Sequence, residues 1–294
     1  MNNTFKRIGL ISKSSGPRLA ETLQALVEFL HARGREITLD TSAAEHIPPN
    51  GLPCVERPQL AARCDLVIVV GGDGTILNAG RSLAESGVPL VGVNLGRLGF
   101  LADVSPDRMA EQLDPILAGS YDQEERALLE ASVYRGDQII STSDALNDVV
   151  IHKWDIARMI ELEVRIDGRM LNTQRSDGLI VATPTGSTAY ALSGGGPIMH
   201  PKLDVITLVP MFPHTLSSRP IVIDAASEIR IHIGETNQTY PHISCDGQTR
   251  AVAKPDDVLV IRRKPRRVQL VHPLGHNFYE VLRSKLGWSN RLGD

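Results

Sequence analysis

The chain has 294 residues, of which 42% are hydrophobic and 22% charged, and a formal net charge of −3. That length accommodates about two domains with cores of ordinary size. The mild negative charge excludes bulk attraction to nucleic acid, and no apolar run approaches a membrane span. Cys54, Cys64 and Cys245 are odd in number and lack Cys-x-x-Cys spacing, which argues against a disulfide framework or a zinc knuckle and for a reducing, cytoplasmic compartment. Lys6 and Arg7 precede only the short apolar run Ile8 to Ile11, so no signal peptide is expected.

Arg7 to Ser12 reads as a first strand, followed by a Ser-Ser-Gly-Pro loop in which Pro17 suits the first turn of a helix. Leu19, Leu23, Leu26, Val27 and Leu30 recur at helical spacing, and Gly34 fits the stop. Glu36 to Leu39 is a second strand, giving the β-α-β opening of a doubly wound sheet. Thr41 to Pro58 reads as an irregular surface loop, either a flap or a disordered insert.

Leu66 to Val70 is a continuous apolar run, the mark of a strand covered on both faces. It stops at Gly71-Gly72-Asp73-Gly74, whose glycines allow a sharp turn and close approach of a ligand. Two readings stand: an Asp-Gly turn joining strand to helix, or a phosphate-facing loop whose one carboxylate handles a metal ion or a reacting hydroxyl. Thr75 to Ser86 reads as a helix closed by Gly87, and Val88 to Val93 as another buried strand. That strand runs into a second glycine-punctuated turn, Asn94 to Phe100, expected beside the first. A helix begins at Ser105-Pro106 and ends near Leu117.

From Glu130 the periodicity changes to two. Ile160, Leu162, Val164 and Ile166 alternate with charged residues, and Asp167-Gly168 is a strong hairpin turn. Ile229, Ile231 and Ile233 alternate again; Val258 to Ile261 and Val268 to Val271 are further strands of this mainly-β part, a sandwich or layered sheets. The organisation expected is an α/β domain over 1–125, a β-rich domain over 126–276, and a helix within 277–294 that packs back on the domains.

Neither a P-loop nor a Gly-x-Gly-x-x-Gly fingerprint is present, so a nucleotide site must be built another way. A second strand-to-turn unit, Asp177 to Tyr190, crowds the hydroxyls of Thr183, Thr185, Ser187 and Thr188. Ser187 or Thr188 could cap a helix entering Ala191, making either an anion or ribose site or a capped helix without a ligand. Asn147-Asp148 is either a turn into the strand Val149 to Ile151 or a binding pair; Arg175 and Asp177 are either solvated or part of a site. The histidines show no metal-ligand spacing; His152, His200, His214 and His272 read as structural or exposed, and Lys264 to Arg267 as a solvated turn.

Together these segments resemble the NAD kinases, of the bacterial type. The GGDGT turn at 71–75 is shared with diacylglycerol, sphingosine and phosphofructokinases; Asn147-Asp148, Gln174 to Gly178, Thr183 to Tyr190, Leu208 to His214 and Ser244 to Gln248 carry the more specific likeness. The resemblance implies a Rossmann-like α/β domain, a mainly-β domain, and transfer of the ATP γ-phosphate to the 2′-hydroxyl of NAD's adenosine ribose, giving NADP. It implies Asp73 as proton acceptor, with Gly74 beside NAD. Asn147 and Asp148 then hold the adenosine part, and Arg158, Arg175 and Asp177 contact NAD from the same or a neighbouring subunit. Thr188, Ala189, Tyr190, Ala191, Leu192 and Ser193 line the adenine and nicotinamide sides, and Gln248 closes the site. A divalent cation (Mg²⁺ or Mn²⁺), ATP as donor and a homodimer or homotetramer made through the β-rich domain are also implied, with no nucleic-acid or membrane partner. Other readings are a lipid kinase with the same turn and a non-catalytic NAD or NADPH sensor; the dense Thr/Ser/Gly stretch and the retained Asp73 speak for the kinase.

Overall fold

A computed structural model describes residues 4–288 apart from 49–50, 97–98, 156–157 and 239. The chain forms two compact units: one runs to Glu125 and resumes at Val268, the other is Arg126–Arg267. The first opens with β1 (Arg7–Ser12), α1 (Leu19–Ala32) and β2 (Glu36–Asp40). Arg18 and Gly34, with φ of 61° and 63°, bracket α1, so Pro17 lies before the helix rather than in its first turn. The stretch expected to be irregular contains a short helix, α2 (Thr41–Ala44), a two-residue strand, β3 (Cys54–Val55), and the start of α3 (Arg57–Arg63). Buried Asp40 takes hydrogen bonds from Ser42 and Arg57, which ties this stretch to the sheet.

Next come β4 (Leu66–Gly71), α4 (Asp73–Leu83), β5 (Leu90–Asn94), α5 (Met109–Leu117) and β6 (Asp122–Arg126). Leu66, Ile68 and Val70 join the α1 and α5 side chains in one core. Val67 and Val69 are equally buried on the other face, where Leu60 of α3 and Val67 flank Gly9. An apolar side chain so buried contributes about 1.5–3 kcal/mol, so β4 can have no polar alternation.

The second unit carries β7 (Leu129–Arg135), β8 (Gln138–Ala145), β9 (Asp148–His152), β10 (Ile160–Ile166), β11 (Arg169–Ser176) and β12 (Gly178–Ala182). After α6 (Tyr190–Ser193) follow β13 (Val205–Met211), β14 (Ile221–Asp224), β15 (Ile229–Ile233), β16 (His242–Cys245), β17 (Gln248–Val252) and β18 (Val258–Arg263). They make two antiparallel sheets, β11-β10-β15-β18-β7-β8 and β14-β13-β12-β9-β16-β17. Leu162, Val164, Ile229 and Ile231 of one sheet share a core with Val149, Ile151, Leu179 and Val181 of the other, a sandwich. The opposite face of the second sheet is also apolar: Val150, Ile180, Ala182 and Val209 pack around Ala191 of α6. Asp167 and Gly168, with φ of 50° and 75°, make the β10–β11 hairpin by the left-handed pair such a turn requires. Lys264 and Arg267, expected to be solvated, are held by carboxylates: Lys264 Nζ lies 2.8 Å from Asp144 and Arg267 2.9 Å from Asp204.

The chain then returns to the first unit through β19 (Val268–His272) and α7 (Phe278–Leu286). β19 was expected in the β-rich part; instead it pairs parallel with β5, completing the order β3-β2-β1-β4-β5-β19-β6. The reason is burial: Val271 belongs to the first unit's core and Leu270 is 2% exposed. Asn277 caps α7 by accepting from the N–H of Tyr279, and Val281 and Leu282 are its buried face. His272 and His276 share the carboxylate of Asp103, a grouping that the sequence spacing did not disclose. Burial would raise the Asp103 carboxyl, but hydrogen bonds and charge from both imidazoles outweigh it and hold it down at about 2.

Because β19 belongs to the first sheet, Leu270→Ala is expected to cost about 2–5 kcal/mol. Hydrogen exchange should show lost protection along β5 while β18 keeps its own; the reverse pattern would refute the placement.

Candidate active site

In the first unit β4 ends at Gly71, Gly72 caps α4, and Asp73 is the first helical residue. Its carboxylate turns away from the helix and accepts the N–H of Phe100 at 2.8 Å and of Leu101 at 3.1 Å. The two glycine turns are therefore neighbours, as expected, joined also by the N–H of Leu95 on the carbonyl of Gly71. Arg97 and Leu98 of the second turn lie outside the described residues. Gly99 is needed here, because a Cβ on it would stand 2.7 Å from the Asp73 carboxyl carbon. Gly74 is exposed, with open space among the described residues where a side chain would be. Each carboxylate oxygen of Asp73 keeps further lone-pair capacity after its one backbone bond. The group is thus fixed in direction and still able to accept a proton or a hydroxyl.

In the second unit Asn147 and Asp148 open β9 beneath a turn built by Asp246 and Gly247, whose φ values are 48° and 73°. The Asp246 carboxylate accepts three consecutive N–H groups, from Leu146 at 3.0 Å, Asn147 at 2.7 Å and Asp148 at 3.2 Å. Thr183 braces the same segment: its hydroxyl donates to the Leu146 carbonyl at 2.6 Å and its N–H to that of Asn147 at 2.9 Å. Gly186 lies so close that a Cβ would come within 2.8 Å of Asn147 Cα. These contacts order one wall of a cavity of about 490 Å³ whose lining includes Asn147, Asp148, Asp177, Ala189, Tyr190 and Asp246. Lys153 Nζ lies 2.7 Å from Asp177 across that lining.

Asp148 is 4% exposed. Burial, and then the charge of Asp246, push its carboxyl up to about 7. A wall of acceptors with this charge disfavours a phosphate and suits the donors of a ribose or an exocyclic amine. A second cavity of about 460 Å³ adjoins the first, sharing Tyr190, Met211 and Phe212, and adds Ser193 and Arg219. Phe212 is 80% exposed and sits at φ 44°, an uncommon conformation for an aromatic residue. With Tyr190 it presents aromatic surface between the two cavities, the kind on which a planar base stacks.

The remaining expected residues separate. Arg158 and Arg175 line another cavity, of about 290 Å³, with Glu161 and Asn237. Gln248 is exposed at the start of β17 and takes a hydrogen bond from Arg250, whereas its neighbour Gly247 lines the first cavity. Thr188 donates to the Thr185 carbonyl at 3.2 Å, Ala191 is core, and neither they nor Leu192 are among the described lining residues of the first two cavities. Neither Ser187 nor Thr188 caps α6, as expected for one of them; Ala189 precedes that helix. Ser187 is fully buried, donating to the Pro184 carbonyl at 2.6 Å and accepting from Met199 N–H at 3.0 Å. The hydroxyl crowd thus largely braces its own turn. Asp246, Lys153 and Phe212 went unassigned in the sequence because an Asp-Gly turn, a lone lysine and a Phe between prolines carry no spacing signal.

Because Asp148 holds its proton more tightly when folded, its contribution to stability is fully present below the usual carboxylate range and lost as pH rises through about 7. Urea denaturation between about pH 4 and about pH 7 should show that decline for the native chain and a flatter profile for Asp148→Asn. Equal slopes for the two proteins would remove Asp148 as the cause.

Two family models match the chain, the ATP-NAD kinase N-terminal domain over residues 8–121 and the ATP-NAD kinase C-terminal domain over 146–273. A curated NAD kinase of Chromohalobacter salexigens is 58% identical over 290 residues, 99% of this chain and 99% of its own length. One of Hahella chejuensis is 52% identical over 286 residues, 97% of each chain. Among solved structures, yeast NADH kinase complexed with NADH aligns with a TM-score of 0.88 at 26% identity, covering 99% of this chain and 91% of that one. An Archaeoglobus fulgidus NAD kinase in complex with ATP aligns with a TM-score of 0.71 at 26% identity, covering 96% and 97%. Fold, glycine turns and relatives agree, and the chain belongs to the ATP-NAD kinase family, the phosphotransferases that make NADP from NAD and ATP.

Proposed function

We propose that Asp73 is the proton acceptor when the 2′-hydroxyl of NAD's adenosine ribose attacks the ATP γ-phosphorus. The new bond is O2′–P, the bond broken joins that phosphorus to the β,γ-bridging oxygen, ADP leaves, and the hydroxyl proton goes to the Asp73 carboxylate. The observation that carries this role is the clamp of Asp73 by the Phe100 and Leu101 amides, which aims a single carboxylate from a turn free of other functional side chains. A sugar hydroxyl is a very weak acid and a carboxylate a weak base. Asp73 therefore orients the hydroxyl first and takes the proton as the P–O bond forms. The chain has no P-loop lysine, so the cation that enters with ATP, Mg²⁺ or Mn²⁺, supplies much of the charge neutralisation phosphoryl transfer needs.

Asn147 and Asp148 hold the adenosine part through the acceptor-lined wall, and Tyr190 with Phe212 supplies stacking surface. Asp177, 2.7 Å from Lys153 Nζ, fixes the far side of that cavity. Arg158 and Arg175 line a cavity of their own, which favours contact with NAD of a neighbouring subunit. A homodimer or homotetramer through the β-rich unit is supported by exposed apolar residues on both edge strands of one sheet, Ile139 and Ile140 of β8 and Met170 and Leu171 of β11. Among the described residues Cys54, Cys64 and Cys245 form no disulfide, which is in keeping with the cytoplasm.

Pure protein incubated with Mg²⁺, ATP and NAD should yield NADP, read by an NADP-specific dehydrogenase. Phosphorylation of sphingosine or diacylglycerol with none of NAD would instead mark a lipid kinase, and binding without turnover a sensor. Asp73→Asn should lower turnover about 10²- to 10⁴-fold with NAD affinity little changed. Near-normal turnover in that variant would take Asp73 out of the mechanism.

A further inference from the structure

Away from the candidate active site, the first unit holds a second arrangement that none of the phosphoryl-transfer chemistry uses. Asp103 lies in the connection between β5 and α5, His272 ends β19, and His276 precedes α7. Both imidazoles direct Nδ1 at the same oxygen, Asp103 Oδ2, at 3.0 Å from His272 and 2.8 Å from His276. One ligand-capable atom from each residue falls within 4.8 Å of the others. The histidine side chains are 1% and 6% exposed.

Hydrogen bonding leaves two buried atoms of this group unsatisfied among the described residues. Both imidazoles meet one oxygen while the other, Oδ1, is buried with no hydrogen-bond partner among the described residues. If His272 carries its proton on Nδ1 for Asp103, its Nε2 is a lone pair. That atom is also buried without a hydrogen-bond partner, and it faces Glu124 Oε2 at 3.7 Å. A neutral imidazole would then oppose lone pair to carboxylate. With a cation held between Nδ1 and Asp103, the other tautomer removes the conflict: Nδ1 becomes the ligand atom and Nε2–H points to Glu124. A metal-binding histidine whose second nitrogen donates to a carboxylate is the usual supporting arrangement.

We propose that Asp103, His272 and His276 form a site for a borderline divalent transition metal of the Zn²⁺ class, with Glu124 as the outer partner of His272. Two imidazoles and one carboxylate suit Zn²⁺, Co²⁺ or Ni²⁺, whereas Mg²⁺ prefers an all-oxygen shell. Ligand bonds of about 2.0–2.2 Å set tetrahedral ligands about 3.4 Å apart, so binding needs only a small withdrawal of Oδ2 from the two nitrogens. The site is braced in advance. The Asp122 carboxylate accepts the N–H of Gly275 at 2.7 Å and of His276 at 3.1 Å, fixing the turn that carries the second histidine. The metal fastens the returning strand and helix to the connection after β5, a structural role within one unit.

The test uses the full chain, stripped with a chelator and titrated with Co²⁺. The expected result is a visible d–d absorption band that saturates at one equivalent, is displaced by Zn²⁺ and is indifferent to Mg²⁺. The His276 ring stacks on that of His272 with centroids 3.9 Å apart, so His276→Phe keeps a stacked ring but no ligand atom and should weaken Co²⁺ binding by more than about 100-fold, and Glu124→Gln by about 10- to 100-fold. Zn²⁺ should raise the melting temperature of the native chain and not of His276→Phe. No band at stoichiometric Co²⁺, or an unchanged band in His276→Phe, overturns the proposal. Should that variant not fold, native mass spectrometry of the wild-type chain with one equivalent of Zn²⁺ decides: one retained ion supports the site and none refutes it.

Discussion

Both turns of the candidate site depend on a carboxylate that accepts consecutive backbone N–H groups. Asp73 takes those of Phe100 and Leu101 in the first unit, and Asp246 takes those of Leu146, Asn147 and Asp148 in the second. Hydrogen bonds to a charged group are worth about 1.5–3 kcal/mol, and amides left bare in a partly buried turn would cost a similar amount. The clamp therefore does two things at once. It satisfies donors that no strand or helix reaches, and it fixes the direction of the carboxyl or of the segment it holds. Glycine follows from the clamp: Gly99 leaves room for the Asp73 carboxyl, and Gly186 for the Asn147 backbone.

The same economy explains why the acidic wall of the second unit tolerates two carboxyls. Asp246 accepts three backbone amides, whereas the Asp148 carboxyl is buried beside it and is pushed toward its neutral form. Burial and then the charge of Asp246 raise the Asp148 carboxyl to about 7, so that group exchanges a proton near neutrality. Behind that wall β9 and β12 are apolar on both faces, one toward the sandwich core and one toward α6. A rigid apolar backing keeps the polar atoms at its edge in one arrangement.

Much of this was legible in the residues. The β-α-β opening, the buried β4 run into Gly-Gly-Asp-Gly, the alternation of β10 and the Asp167-Gly168 hairpin follow from local periodicity and turn chemistry, and the fold has them. The quoted motifs pointed to the family that the relatives then showed. Other features were misread or left open. Thr41 to Pro58 looked irregular because its helices are held by the buried Asp40 rather than by an amphipathic pattern. For the hydroxyls of Thr183, Ser187 and Thr188 a ligand site and a ligand-free turn stayed open, because a sequence cannot say whether a hydroxyl meets a ligand or a nearby carbonyl.

By itself the sequence determined the elements with a clear local period, among them β1, α1, β2, β4, α4, β5 and β10, and the Asp167-Gly168 bend, since these depend on neighbours within a few residues. Tertiary structure decided the rest. It sent β19 back to the first sheet, brought Asp246 over a segment 100 residues earlier and set His272 against an aspartate 169 positions away. It also gave Arg158 and Arg175 a cavity of their own. Such partners meet only after the sheets close, and no local period encodes a contact whose two halves are chosen by burial and by unsatisfied backbone donors.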